Sequence, residues 1–222
     1  MSTDWYAAPE SYEIPASWGL EDEDREILRD SAWSLILKGE NDPAEFVALF
    51  EDELAEAGVA EERALAFFAS AIELRRRQQD ELGGPPESRL SRAFAELAEI
   101  GVLGREDFTC CGTCGSAEIW DERDDSRVWR GYLYYHTQDA ERIPEDRSTY
   151  VGYGAFLDAH LPEDEWNALN EEQQDERYER IVTGLMVDEV FPVLERHGIE
   201  VSWNRDLGTR ILLSNVDLFV AV

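Results

Sequence analysis

The sequence predicts an α+β fold: a helical N-terminal part followed by a ββαββ layer with a mostly antiparallel sheet. Three observations carry this expectation. Apolar residues recur at helical spacing between residues 21 and 100, short aromatic and β-branched runs begin at Gly131, and two short runs near the C-terminus are joined through Asn204 to Gly208. The expected organisation is an irregular aromatic arm over 1–20, a helical domain of about four helices over 21–100, and a cysteine-motif linker with the α+β domain over 101–222.

Trp5, Tyr6, Tyr12 and Trp18, set among Pro9 and Pro15, describe an arm that lays aromatic side chains on the body. Leu28, Ala32, Leu35 and Ile36 then form a helical stripe behind an acidic first turn, Glu21 to Asp24, where negative charge suits the positive end of the helix dipole. Asp42-Pro-Ala-Glu45 combines an N-cap with a proline at the first helical position, and the helix it starts is expected to end near Gly58. A longer helix from Glu61 to about Leu82 carries Leu65, Phe68 and Ile72, and its basic run Arg75 to Arg77 is read as a solvated face. Gly83-Gly-Pro-Pro86 is the strongest break in the chain. Leu90, Ala93, Phe94 and Leu97 follow with helical spacing, closed by Gly101.

Beyond the cysteines, Gly131–His136 and Thr149–Phe156 read as strands. A long helical stretch between about Asn170 and His197 contains Pro192, which is expected to kink or divide it. The runs 199–203 and 209–213 complete the layer as a hairpin.

The chain carries 50 acids against 20 bases, a formal charge of −30. The excess is spread evenly, with 26 acids and 10 bases before residue 110 and 24 and 10 from there on. Nucleic-acid binding depends on Lys and Arg neutralising phosphates, so this charge argues against a nucleic-acid partner, and against anionic membrane surfaces for the same reason. A cationic protein partner is the complement such a surface would steer. No apolar run approaches the roughly 20 residues of a membrane span, and the start shows neither a basic nor an apolar signal region. The expected location is the cytoplasm.

Chemistry concentrates in Phe108-Thr-Cys-Cys-Gly-Thr-Cys-Gly115. Cys111 and Cys114 have the C-x-x-C-G spacing of a zinc knuckle, in which a tight turn brings two thiolates to one ion and frees backbone N–H groups for the sulfurs. No second C-x-x-C exists, so further ligands must come from Cys110, a histidine or a carboxylate. Cys110 is adjacent to Cys111, and neighbouring side chains diverge, so both on one ion implies strain. His136, at a strand end, is the candidate histidine. His160 reads as a loop residue, and His197 as a last-turn residue that suits the helix dipole. The same cysteines can instead be buried packing groups or a reactive dithiol. A thioredoxin-like site places C-x-x-C after a strand, at a helix start, inside a parallel β-α-β unit, and the antiparallel reading of this sheet weighs against it. No P-loop, G-x-G-x-x-G, G-x-S-x-G or H-E-x-x-H motif is present.

Phe108-Thr-Cys-Cys-x-x-Cys-Gly115, then Gly131-Tyr-x-x-Tyr-His-x-Gln-Asp139, a Tyr153-Gly154 strand, and a closing Gly198-Ile-x-Val-x-Trp203 with Arg210-Ile together resemble a bacterial domain of unknown function. The resemblance covers roughly 86–214 and includes the Arg89–Phe94 helix. It implies that Cys110, Cys111, Cys114, His136, Gln138 and Asp139 belong together, and it supplies no reaction. Two functions follow. The first is an acidic cytosolic binding protein with a structural Cys/His zinc site. The second is a metal- or thiol-dependent enzyme built on Cys111, Cys114 and His136, with Gln138 and Asp139 orienting the imidazole or binding substrate.

Overall fold

The computed structural model describes residues 4–222, so the first three residues of the expected arm lie outside the described ones. The chain divides into two compact units, residues 1–86 with 218–222, and residues 87–217. The division between the units lies at Pro86. The reason is local: Gly83-Gly-Pro-Pro86 breaks the backbone, and the helix beyond it packs its Phe94 ring against strand residue Gly104.

The first unit holds α1 (Asp22–Leu37), α2 (Pro43–Leu49), α3 (Glu51–Glu56) and α4 (Glu61–Leu82). The Asp42 side chain accepts from the Ala44 N–H at 2.9 Å, as an N-cap ahead of Pro43 should. The single helix expected to run to Gly58 is split at Phe50, whose backbone leaves the helical region (φ −116°, ψ 27°). Phe46 is buried against Phe68, their rings stacked 4.7 Å apart, and Tyr12 and Trp18 of the arm pack against Phe67. Trp33 donates from Nε1 to the Tyr6 carbonyl at 2.9 Å, and Gln79 donates to the Val220 carbonyl at 2.8 Å, so the arm and the C-terminal residues are tied to the helices.

Arg75 departs from the solvated face expected for 75–77. It is fully buried, donates from Nη1 to the Trp5 carbonyl at 2.7 Å, and places its guanidinium 4.4 Å from the centre of the Trp5 ring. Burial pulls its pKa down to about 10. Arg76 remains exposed with Glu73.

The second unit begins with α5 (Arg89–Glu99), whose N-cap Ser88 accepts from the Ser91 N–H at 2.8 Å. Next come β1 (Val102–Arg105), α6 (Gly112–Glu118), β2 (Gly131–Tyr134), α7 (Thr137–Ala140), α8 (Ile143–Asp146) and β3 (Ser148–Ala155). The chain continues through α9 (Glu163–Asn167) and α10 (Glu171–Gly184) to α11 (Phe191–Arg196), β4 (Glu200–Ser202) and β5 (Ile211–Ser214). The five strands form one mixed sheet in the order β1-β2-β3-β5-β4. The fold class is α+β, as expected, with three of the four pairings antiparallel. The hairpin is present, with Glu200 opposite Ser214.

One detail differs from the expected layer. A further strand, β1, precedes the other four and runs parallel to β2, with Val102 opposite Gly131 and Arg105 opposite Tyr134. Pro192 lies in the first turn of α11, and the long helical stretch expected to kink or divide is divided there from α10. The winding widens to a π-helix over Leu185–Val190 just before the proline, absorbing the backbone hydrogen bond that proline cannot donate. β3 divides its pairing: Gly152 to Ala155 face β2, and Ser148 to Val151 face β5.

A Cβ at Gly104 would stand 2.3 Å from the Phe94 ring, so the strand admits no side chain where α5 crosses it. Gly104→Ala should therefore lower stability by about 1–3 kcal/mol, the usual cost of overpacking. Urea unfolding monitored by circular dichroism checks this; an unchanged midpoint would contradict the packing described.

Candidate functional site

Tyr134 organises the site. It sits opposite Gly152 in the β2–β3 register, and a Cβ on Gly152 would lie 2.7 Å from the ring. On its other side a Cβ on Gly115 of α6 would lie 2.4 Å away. Glycine at both positions lets the ring fill the space between strand and helix. The Tyr134 hydroxyl donates to the Gly112 carbonyl at 2.9 Å and shares a 2.8 Å hydrogen bond with Ser116 Oγ. One side chain thus holds the first turn of α6 against the sheet.

The loop leading to that turn is shaped by backbone conformations that non-glycine residues rarely adopt, Asp107 at φ 47° and Thr109 at φ 61°. For a β-branched residue this is strained. Hydrogen bonds hold it: Phe108 N–H to the Tyr135 carbonyl at 2.8 Å, and Thr137 N–H and Oγ1 to the Thr109 carbonyl at 3.1 and 3.0 Å. The bend has a direct result. Adjacent Cys110 and Cys111, expected to diverge, converge with Cys114 so that all three sulfurs lie within 4.8 Å of one another.

Cys110 Sγ is 3.7 Å from Cys114 Sγ. That matches the edge of about 3.8 Å expected between two sulfurs of a tetrahedral ion with bonds of about 2.3 Å. The three sulfurs can therefore hold one metal ion. Among the described residues this group contains the three cysteines and no histidine. Cys111, the N-cap of α6, has its thiol pKa lowered because the Cys114 N–H and thiol, then the Thr113 N–H, donate to its sulfur. Cys114, hydrogen-bonded with the Cys110 and Cys111 sulfurs and facing their charge, is pushed up to about 11. The three sulfurs are free of disulfides and partly or fully open to solvent.

His136, Gln138 and Asp139 are gathered elsewhere, on a polar cleft of about 600 Å³. His136 is buried; its Nε2 hydrogen-bonds with Arg210 Nη1 at 3.1 Å and lies 2.9 Å from Asp139 Oδ2, an ion pair when the ring is protonated. Asp139 thus stands beside the imidazole and shares Arg210 Nη1 with it. Gly112, Thr113 and Ser116 of α6 line the same cleft, but none of the cysteines does. Successive helical residues turn by about 100°, which sets 112, 113 and 116 on one face of the turn and 111 and 114 on another. His136 lies against the cleft face, 3.8 Å from a Cβ built on Gly112. His160 donates from Nε2 to the Arg130 carbonyl (2.7 Å), and His197 pairs with Glu96 at 2.8 Å, so both serve local structure.

Arg210 enters only as part of the closing sequence pattern, with nothing in its surroundings to single it out. The parallel β1–α6–β2 crossover also changes one argument. The cysteines do follow a strand, at a helix start, inside a parallel β-α-β unit, the setting that the antiparallel reading had withheld from them.

The family model for the domain of unknown function DUF6891 matches residues 21–218. No curated protein and no solved structure matches the chain.

Removing the Tyr134 hydroxyl takes one donor from the Gly112 carbonyl and one partner from Ser116, leaving these two bonded to each other at 2.9 Å. Tyr134→Phe should cost about 1 kcal/mol and loosen the cysteine turn. Thiol titration with an aromatic disulfide should then show faster reaction of the three cysteines than in the parent. Unchanged thiol rates would mean that the hydroxyl does not hold the turn.

Proposed function

The chain belongs to the DUF6891 family, and we propose that it is an acidic binding protein that docks a cationic protein partner on its first unit and carries a structural zinc ion on the cysteine turn of its second. The observation that carries the docking reading is a groove of about 320 Å³ beside α1 and α3. Leu28 and Phe50 form its apolar base, and Ile27 stands 59% exposed beside them. Glu21, Asp24, Glu53 and Glu56 border it, and no basic residue lines it. A partner presenting an apolar side chain flanked by Lys or Arg complements both features, with charge steering the encounter and apolar burial holding the complex.

Zinc suits the cysteine turn because soft thiolates select it and the sulfur spacing accommodates it. The sulfurs face away from the cleft, which supports a clamp on α6 over a reactive centre. The cytoplasm, where thiols stay reduced, suits such a centre, and no described helix is long and apolar enough to cross a membrane.

A second reading, a thiol-dependent enzyme, is favoured by the parallel β-α-β setting and the lowered Cys111 thiol. There the Cys111 thiolate attacks a substrate disulfide and expels one substrate thiol. Cys114 then displaces the second, leaving a protein disulfide. Stoichiometric release of thiol from a small disulfide, with a Cys111–Cys114 bond found by mass spectrometry, would favour this reading over the zinc clamp.

For the docking reading, fluorescence anisotropy with a labelled helical peptide of leucine and lysine should show saturable binding that weakens with salt. Ile27→Asp and the double variant Glu53→Lys, Glu56→Lys should each weaken it by about tenfold or more, a change of about 1.4 kcal/mol. Equal affinity in these variants would locate binding elsewhere on the acidic surface and overturn the reading.

A further inference from the structure

We propose that the polar cleft of the second unit binds a small molecule through an oxyanion, a carboxylate or phosphate, with Arg210 as its charge partner and His136 and Asp139 as positioning residues. This rests neither on the groove nor on zinc. The cleft differs in charge from the rest of the chain. Among its lining residues Asp139 is the only carboxylate, and it is already paired with Arg210 Nη1 at 2.5 Å. The other polar groups around it are neutral, Gln138 and the Thr113 hydroxyl among them. In a chain with 50 acids, this is a local environment in which a second anion is not repelled by an acidic cluster.

Arg210 is held ready for such a ligand. Nη1 is fixed between Asp139 and His136, and the guanidinium carbon lies 5.0 Å from the centre of the Tyr150 ring. Nε and Nη2 have no hydrogen-bond partner among the described residues, and the side chain is 42% exposed. A guanidinium clamped at one nitrogen presents its remaining edge in a fixed direction, which suits the planar, paired oxygens of carboxylate and phosphate. Ordering it beforehand also reduces the entropy lost on binding.

His136 supplies an independent sign. Its side chain is more than nine-tenths buried and borders the cleft, yet Nδ1 is buried without a hydrogen-bond partner. A buried orphan nitrogen is costly, and such atoms mark places completed by a ligand or ordered water.

The experiment uses the full chain and follows its three histidine imidazoles by NMR while inorganic phosphate, succinate or glycerol is added. Phosphate or succinate should shift the His136 resonances saturably while His160 and His197 stay in place, and glycerol should leave all three unmoved. The stronger of the two anions identifies the oxyanion. Arg210→Gln should weaken binding at least tenfold. Arg210→Lys, which keeps the charge and loses the fork, provides a second variant should the first unfold, and should weaken binding severalfold. Static His136 resonances with both anions, or affinity unchanged in a folded Arg210 variant, would overturn the proposal.

Discussion

The second unit depends on how one tyrosine ring is seated. Tyr134 lies across Gly152 on the neighbouring strand and against Gly115 on α6, and its hydroxyl reaches the Gly112 carbonyl and Ser116. A side chain at either glycine would overlap the ring. The same arrangement recurs two pairs along, where a Cβ on Gly154 would lie 2.5 Å from the Tyr132 hydroxyl. Aromatic rings that cover cross-strand glycines fix register, because a slip of one residue would turn each ring to the other face. Sheet register and helix placement are thus set by a shared contact.

From that contact α6 acquires two faces with different chemistry. One presents Gly112, Thr113 and Ser116 to a cleft that also holds His136, Asp139 and Arg210. The other belongs to Cys111 and Cys114, joined by Cys110 through the bend at Asp107 and Thr109. A metal ion on the sulfurs would stiffen the wall of the cleft without touching its contents. This division explains why residues that stand together in the sequence pattern form two neighbouring groups in space. In the first unit an acid-bordered groove offers a different kind of surface, apolar at its base and negative at its edge.

Much of the architecture was legible in the residue pattern. The helices of 21–100, the caps at Asp42 and Gly101, and the final hairpin follow from periodicity and turn chemistry that act over a few residues. β1 was not legible, because Val102-Leu-Gly-Arg105 is short, follows a helix directly and contains a glycine that normally weakens a strand. Its glycine makes sense only once Phe94 is seen above it. The convergence of Cys110 with Cys111 was equally hidden, since left-handed backbone at Asp107 and Thr109 has no sequence signal comparable to glycine. Arg75 reads as one of three exposed arginines until the aromatic arm is placed over it. His136, Gln138 and Asp139 stand together in the pattern and line one cleft. Their separation from the sulfurs required the helical turn between them.

The bend before α6 brings three sulfurs within reach of one metal ion, while none of them lines the cleft. X-ray absorption at the zinc edge, on protein loaded with one equivalent of zinc, tests this most directly. The zinc should be surrounded by three sulfurs at about 2.3 Å and one lighter atom, unchanged when His136 is replaced by asparagine. A shell with two or fewer sulfurs, or one that loses a nitrogen in that variant, would contradict it.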